Sequence, residues 1–228
     1  SAKKMVNTVK ENNVRLMEGF MYRFHPSHQK VKKFINDKII GEVFLFSSKY
    51  GFPSISKDNI RYNKSLGGGI LNDAGCYPIN ASRMLFESEP NGVFCNLVMD
   101  KETQVDTKAT LMMDFDDNRQ SQSSVGYDLE YQSNYKLWGS DGSLSLTRSY
   151  NIPPDMQARL NIKNGNKDQE LLIEPVNHFQ LMIESFGNEI IKSNSEKFNF
   201  EEDLLNQAKV MEACRISNDE KRYVEIKE

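Results

Sequence analysis

The segment LGGGILNDAGCYP, residues 66–78, places a carboxylate and a phenol close together behind three consecutive glycines. Asp73 and Tyr77 are four residues apart, so on a helix their side chains would share one face. Such a pair can move protons, but a tyrosine with a reference pKa of about 10 needs a nearby cation or a proton relay to act near neutral pH. The glycines, Gly68 and Gly69 among them, allow a sharp bend or a close approach of the backbone to a ligand. This segment is therefore the first candidate for acid–base chemistry.

A purely structural interpretation of the same segment stays open. Pro78 biases the residue before it away from helical backbone, which favours a helix that begins only near Tyr77. The glycines would then form a turn, Asp73 would cap a helix and Tyr77 would pack in the core. The glycine run is also no dinucleotide-binding GxGxxG motif, because it does not follow a strand in the required order.

The segment MYRFHP, residues 21–26, is the second candidate, since it follows a predicted buried strand over residues 14–20. Ligands bind at strand ends in open α/β sheets, where Arg23 could hold an anion and His25 could transfer protons. The alternative is an arginine in a surface ion pair and a histidine packed at a helix start.

Residues 51–69 form a long predicted loop, and long loops in compact domains are usually functional. Arg61 in this loop is either a pocket residue or a solvated loop charge. No cluster of His, Cys, Asp or Glu has the spacing of metal ligands, so the sequence predicts no metal site.

The composition is that of a folded protein without a strong field of either sign. Of 228 residues, 38% are hydrophobic and 27% charged, and the formal net charge is −3. Nucleic acid is therefore a poor candidate partner, and no apolar run reaches the length of about 18 residues that a membrane helix needs. The three cysteines are odd in number and far apart, which predicts reduced thiols and a cytoplasmic location.

The hydrophobic pattern predicts an α+β fold. A run of alternating segments between residues 92 and 174, separated by turn signals, indicates a large, open and mainly antiparallel sheet with helices on one face. Helices are predicted over residues 2–11, 26–36, a stretch ending near Phe86, 177–192 and 201–217. The opening helix and the strand over 14–20 resemble the end of a βαβ unit whose first strand is missing.

Four blocks of the sequence together resemble the glucose–fructose oxidoreductase / inositol dehydrogenase (Gfo/Idh/MocA) family. They are EGFMYRFHP (18–26), GEV (41–43), GGGILNDAGCYPIN (67–80) and WGSDGSL (138–144). The resemblance covers essentially the whole chain. Its details are most similar to the sugar dehydrogenase, dihydrodiol dehydrogenase and nucleotide-sugar ketoreductase branches.

The resemblance implies a division of the protein into a dinucleotide-binding part and a substrate-binding part. Family members have an N-terminal Rossmann domain that binds NAD or NADP, and a C-terminal domain that supplies the substrate site and often the oligomer interface. Residues 1–20 are then expected to be the last helix and strand of a truncated Rossmann domain, and residues 21–228 the C-terminal domain. The chain starts with Ser1 and lacks the family's glycine-rich loop and its Glu-Lys-Pro motif.

The resemblance also implies roles for individual residues. The family's DxGxH/Y motif matches at Asp73, Gly75 and Tyr77, so Tyr77 would exchange a proton with the substrate and Asp73 would position it. Arg23, His25 and Arg61, with Gly68 and Gly69, would lie on the substrate or cofactor side of the pocket.

The expected function is that of the substrate domain of an NAD(P)-dependent oxidoreductase that acts on a CH–OH group of a sugar-like molecule. The chain alone is expected to be inactive and to bind no cofactor, and to form a homo-oligomer through a sheet face. Its expected partner is a small-molecule substrate, not nucleic acid or a membrane. The alternative is a non-catalytic sheet domain that serves oligomerisation or ligand binding.

Overall fold

The computed structural model describes residues 1–191 and 198–226, which form one large sheet with helices packed against it. The helices are α1 (Ala2–Glu11), α2 (Pro26–Asn36), α3 (Cys76–Phe86), α4 (His178–Ile191) and α5 (Phe200–Glu220). The strands are β1 (Val43–Gly51), β2 (Gly92–Met99), β3 (Asp106–Asp114), β4 (Gln120–Gly126), β5 (Gln132–Gly139), β6 (Gly142–Thr147), β7 (Ala158–Asn164), β8 (Lys167–Ile173) and β9 (Val224–Glu225). None of the helices in these ranges is long and apolar enough to cross a bilayer.

The sheet confirms the predicted mainly antiparallel architecture. Its strand order is β8-β7-β6-β5-β1-β4-β3-β2-β9. Every neighbouring pair is antiparallel except β1 and β4, which run parallel with Phe46 opposite Ser121. Because β1 and β4 run the same way, the residues that follow both strands meet at one end of the sheet.

The two faces of the sheet differ because successive strand residues point to opposite sides. On one face Phe46, Leu137 and Leu144 are fully buried within the core that also includes residues of α2, α3 and α5. On the other face the exposed fractions of Met112 and Trp138 are 47% and 58%. The predicted arrangement with one covered and one open face is therefore present.

Local signals explain why α2 and α3 begin where they do. His25 caps α2 by accepting the Ser27 N–H at Nδ1, and Pro26 occupies the first helical position, where a missing N–H costs nothing. One turn of π-helix, Leu71–Gly75, leads directly into α3. Helical backbone thus starts at Leu71, whereas the proline favoured a helix that begins only near Tyr77.

Residues 14–20 form no strand, and the prediction of a strand there is wrong. A strand requires a neighbour that completes its backbone hydrogen bonds, and the described strands leave none beside this segment. Instead the Leu16 N–H donates to Glu201 Oε1 at 2.9 Å, and Arg15 Nε donates to the same oxygen at 2.8 Å. The segment is tied to α5, against which α1 also packs. The assignment of residues 1–20 to a separate domain stays a prediction.

The helices near the C-terminus follow their predicted ranges closely. α4 is described to Ile191, and the predicted end of this helix, Lys192, lies outside the described residues. α5 extends three residues beyond the predicted end at Ser217, to Glu220.

Candidate substrate site at Asp73 and Tyr77

Asp73 lies on the π-helical turn and receives hydrogen bonds from two other elements. Arg61 Nε donates to Asp73 Oδ2 at 2.7 Å, and the Tyr127 hydroxyl donates to the same oxygen at 3.2 Å. The bond to Asp73 raises the pKa of Arg61 above its ordinary value. The side chains of Arg61 and Asp73 keep 42% and 23% of their surface exposed. The structure thus brings two of the predicted site residues together as a partly exposed ion pair.

Tyr77, in the first turn of α3, lies in a cluster of aromatic rings. The ring centroids of Phe20, Tyr50, Tyr150 and Tyr22 are 5.4, 5.4, 5.6 and 5.7 Å from its own. Tyr22, Tyr50 and Tyr150 are almost fully buried, whereas Tyr77 remains partly exposed. The cluster holds the Tyr77 ring in place and leaves part of it open to a ligand.

The hydroxyl of Tyr77 keeps its proton at neutral pH. Burial raises its pKa to about 12, with further increases from Cys76 and Asp73 that Arg61 partly offsets. Its hydrogen-bonding contact is a weak one to Met21 Sδ at 3.9 Å, and Asp73 bonds Arg61 and Tyr127 rather than Tyr77. Tyr77 is therefore a neutral proton donor without a strong acceptor of its own.

The glycines that precede Asp73 allow the chain to fold back on itself. A Cβ on Gly68 would lie 2.5 Å from the Arg61 carbonyl oxygen, and Gly69, at φ +116°, lies against the Asp106 carboxylate. The Gly69 N–H donates to the Arg61 carbonyl at 2.9 Å. These contacts bring the loop that carries Arg61 up to the turn that carries Asp73.

Arg23 and His25 contact other residues than the Arg61–Asp73 pair. Arg23 forms an ion pair with Asp203 of α5, and its guanidinium lies 5.5 Å from the Phe198 ring. His25 is fully buried, and burial followed by repulsion from His178 lowers its pKa to about 4. Their contacts match the structural interpretation, an ion-paired arginine and a helix-capping histidine. A role for either in binding stays a prediction.

The sequence analysis missed the tyrosines around the site, above all Tyr127. Tyr50 is the last residue but one of β1, Tyr127 follows β4 directly and Tyr150 lies three residues after β6. A tyrosine at the end of each of three strands is visible in the sequence. Their meeting depends on the parallel pairing of β1 and β4, which no local pattern predicts.

The residues around Asp73 and Tyr77 combine ring surface with a few polar groups. Partly exposed rings with a few polar groups, here Arg61, Asp73 and Tyr77, are typical of small-molecule pockets. The 228 residues contain no GxGxxG motif to hold a dinucleotide pyrophosphate. In the described ranges no group of three or more His, Cys, Asp or Glu is placed to hold a metal ion.

The sequence matches a family model described as the GFO/IDH/MocA C-terminal domain over residues 28–145, just over half of the chain. The chain therefore belongs to the GFO/IDH/MocA family, as the resemblance implied. The matched region begins within α2 and ends within β6, and it contains β1, the loop with Arg61, the Asp73 turn and α3.

Relatives with assigned names are sugar and diol oxidoreductases. A dTDP-3,4-didehydro-2,6-dideoxy-alpha-D-glucose 3-reductase from Actinomadura kijaniata is 26% identical over 94% of this chain and 64% of its own length. A D-xylose 1-dehydrogenase (NADP(+)) from Haloferax volcanii is 26% identical over 84% of this chain and 58% of its own length. The trans-1,2-dihydrobenzene-1,2-diol dehydrogenase of Xenopus tropicalis is 29% identical over 73% of this chain and 48% of its own length.

The fold is shared with solved structures. A 3-ketoreductase from Actinomadura kijaniata, in complex with NADP and TDP-benzene, has a TM-score of 0.89 at 26% identity, covering 95% of this chain and 66% of that protein. An aldose–aldose oxidoreductase from Caulobacter crescentus has a TM-score of 0.88 at 21% identity and shares the fold. The chain thus spans slightly less than two thirds of the length of these first relatives.

Proposed function

We propose that this chain is the substrate-binding part of an NAD(P)-dependent oxidoreductase that acts on a CH–OH or C=O group of a sugar-like molecule. The observation that carries the proposal is the protonated Tyr77 hydroxyl, which has only a weak contact to Met21 and lies four residues after Asp73 of the Asp73–Arg61 pair, in a family whose named relatives are reductases and dehydrogenases. The aromatic rings around Tyr77 supply apolar surface for the carbon atoms of the substrate.

In this proposal Tyr77 provides the proton that the substrate oxygen gains on reduction. An alkoxide is a stronger base than a phenolate, so a tyrosine with a pKa of about 12 can donate its proton to the oxygen as charge develops. Oxidation in the reverse direction requires the phenolate, and a cation beside the hydroxyl would lower the pKa toward neutrality. The described residues alone favour the reductive direction.

Asp73 would position the substrate. Both of its bonds, from Arg61 and Tyr127, end on Oδ2, which leaves Oδ1 to accept a hydrogen bond from a substrate hydroxyl. Because the carboxylate is fixed by two donors on different elements, a hydroxyl bound to it has a defined place relative to Tyr77.

The hydride in such a reaction belongs to the nicotinamide, and we propose that residues outside this chain bind most of that cofactor. The chain offers no glycine-rich pyrophosphate loop, which supports an inactive chain on its own. Titration of the 228-residue chain with NADH and NADPH should give no saturable fluorescence change. Tight, saturable binding would overturn this part of the proposal.

The function is tested with the full protein that the gene encodes. Oxidation of NADH or NADPH is followed by absorbance with a panel of keto-sugars, sugar phosphates and nucleotide-linked keto-sugars. For aromatic diols, the assay starts from the oxidised cofactor and follows its reduction. At least one carbonyl sugar should be reduced. Failure of every substrate with both cofactors would contradict the oxidoreductase assignment.

We also propose a cytoplasmic location, which the three free, buried cysteines support.

The open sheet face supports self-association, which is also the basis of the non-catalytic alternative. Phe94, Met112 and Trp138 keep 40%, 47% and 58% of their surface exposed there, and Phe44 packs edge-on against Trp138 with centroids 6.3 Å apart. Exposed apolar patches of this kind are typical of subunit interfaces.

We propose a homo-oligomer formed through this face. Sedimentation should show an oligomer that Met112→Lys converts to monomer, while Ile183→Lys, at an exposed isoleucine of α4 outside the sheet, leaves it intact. A monomer in the unsubstituted chain would contradict the proposal.

A further inference from the structure

The aromatic cluster around Tyr77 continues along the end of the sheet to an arginine. Strand register places the ends of β1 and β6 beside the start of β5, with Gly51 opposite Gln132 and Asn134 opposite Thr147. The residues just beyond these ends are Phe52, Tyr131 and Arg148. They are therefore neighbours, although up to 96 positions separate them in the sequence.

The ring contacts are continuous from Tyr77 to Arg148. Tyr50 lies 5.4 Å from Tyr77 and 4.7 Å from Phe52, between ring centroids. Phe52 lies 6.3 Å from Tyr131, and the Arg148 guanidinium carbon lies 4.6 Å from the centre of the Tyr131 ring. Tyr77, Phe52, Tyr131 and Arg148 are all partly exposed, so the row of ring contacts is open to solvent at both of its ends.

Arg148 differs from every other arginine in the part of the chain that the structure describes, because it has no carboxylate partner. The others each form an ion pair: Arg15, Arg23, Arg61, Arg83, Arg119, Arg159, Arg215 and Arg222. Asp155 and Glu174 line the depression beside Arg148, yet neither bonds to it, and Glu174 accepts from Gln157 at 3.4 Å. A guanidinium stacked on a ring keeps the N–H groups along its edge available for an anion.

The backbone at Arg148 is fixed before any ligand binds. Its φ of +55° is in the left-handed region, which is unfavourable for a residue with a Cβ. The next residue holds it there, since the Ser149 N–H donates to the Ser133 carbonyl at 2.8 Å and the Ser149 hydroxyl to the Leu146 carbonyl at 2.9 Å. The guanidinium is thus presented from a rigid support, which lowers the entropy cost of binding.

Tyr131 adds an unsatisfied hydroxyl to the same place. Its oxygen is shielded from solvent and has no hydrogen-bond partner in the described residues. Buried polar groups nearly always have a partner, so an orphaned one calls for an explanation. The same ring carries the stacked Arg148 guanidinium, so the partnerless hydroxyl and the unpaired cation belong to one local cluster.

We propose that Arg148, stacked on Tyr131, binds an anionic group, a phosphate or a carboxylate, carried by the substrate whose carbonyl or carbinol carbon lies at Tyr77. This inference rests on the proposed function and narrows it. A neutral sugar or an aromatic diol would leave Arg148 unpaired, whereas a sugar phosphate, a nucleotide-linked sugar or a sugar acid would use it. A planar guanidinium can bind either kind of oxyanion with two parallel hydrogen bonds.

The test measures ligand binding to the 228-residue chain by calorimetry, together with the NMR signals of ring-labelled tyrosines. The probes are glucose, glucose 1-phosphate, glucuronate and thymidine diphosphate glucose. Anionic probes should bind at least about tenfold more tightly than glucose and weaken with added salt. The tightest of them identifies the source of the negative charge.

Two variants separate this role from general surface charge. Arg148→Gln should bring the affinity for anionic probes down to that for glucose. Arg159→Gln, at an exposed arginine that lines the same depression and pairs with Glu170, should change it by less than about twofold.

The outcomes distinguish this inference from the function on which it rests. If glucose and the anionic probes shift the Tyr77 signal with equal affinity, the anion subsite is wrong and the proposed function stays intact. Equal losses in the two arginine variants would also overturn the subsite. If no probe shifts the Tyr77 signal, the subsite is wrong, whereas the proposed function is wrong only if the full encoded protein also reduces no sugar of the panel.

Discussion

Two arginine–carboxylate clusters lie at opposite ends of the segment that contains α3, and their surroundings differ sharply. Arg83, with 3% of its side chain exposed, donates two bonds to Glu89 at 2.6 and 2.7 Å and one to the Asp203 carboxylate at 3.1 Å. Arg61, with 42% exposed, bonds only to Asp73 among carboxylates. The first cluster joins α3 to α5, and the second joins a loop to the turn that precedes Tyr77.

The difference separates groups that hold the fold together from groups that can meet a ligand. A buried guanidinium that loses its partners keeps its desolvation cost, so its removal or isolation is strongly destabilising. A half-exposed pair contributes little to stability, since water screens it. We therefore interpret the Arg83 cluster as structural, and the exposure of the Arg61–Asp73 pair supports its proposed role in substrate binding.

The largest expected effect comes from breaking the buried cluster. Asp203→Ala removes one partner of Arg83, which keeps Glu89, and the partner of Arg23, so the free energy of unfolding should fall by about 1–3 kcal/mol. Urea denaturation followed by circular dichroism measures it. Arg61→Ala, the matched change in the exposed pair, should cost less than about 1 kcal/mol. Equal costs would mean that burial does not distinguish the two clusters.

The effect on activity should show the reverse order. Asp73→Asn removes the charge that Arg61 and Tyr127 hold in place, and kcat/KM should fall by about 100-fold with little loss of stability. Steady-state kinetics of the full encoded protein measures this. Glu89→Gln, at the rim of the buried cluster, serves as the control and should leave kcat/KM within about threefold. A larger loss in Glu89→Gln than in Asp73→Asn would contradict the assignment.

Acid should act on the buried histidines of the covered face. Burial lowers the pKa of His25 to about 4 and that of His28 to about 3, from 6.5 in the unfolded chain. Below about pH 6.5 the unfolded state therefore binds more protons than the folded state. The free energy of unfolding has its full value above that pH and decreases as the pH falls toward 4. Each histidine contributes a slope of about 1.4 kcal/mol per pH unit.

A variant isolates the contribution of one histidine. His28 is held between the Tyr135 hydroxyl at 3.0 Å and the Ser149 carbonyl at 2.8 Å. His28→Gln should be less stable at pH 7, yet its thermal midpoint should fall less steeply between pH 6.5 and 4. An unchanged pH slope would place the acid sensitivity elsewhere.

Local signals in the sequence predicted the elements well. Pro26 and the apolar spacing that follows it gave the bounds of α2, and alternating residues gave the strands from β2 to β8. The sequence predicted Asp73, Tyr77 and Arg61 as candidate site residues, and the structure places Arg61 against Asp73; their role in a site stays a prediction. The strand predicted over 14–20 failed because hydrophobicity alone cannot supply a partner strand.

Long-range pairing explains what the sequence could not predict. Tyr127 reaches Asp73 because β1 and β4 are parallel, and Arg148 reaches Tyr131 because β5 and β6 pair with a short turn between them. Arg23 carried the same charge as Arg61, but its partner, Asp203, lies 180 positions away. Only the fold shows which arginine lies beside the candidate site.

The central claim is that Tyr77 supplies the proton, and Tyr77→Phe tests it most directly. In the full encoded protein, with a substrate found in the panel, kcat should fall by at least about 100-fold while KM changes by less than about threefold. Tyr150→Phe is the matched control, because its ring also touches Tyr77 but its hydroxyl bonds Ser48 Oγ at 2.6 Å in the interior. An unchanged kcat in Tyr77→Phe would remove Tyr77 from the reaction and contradict the account.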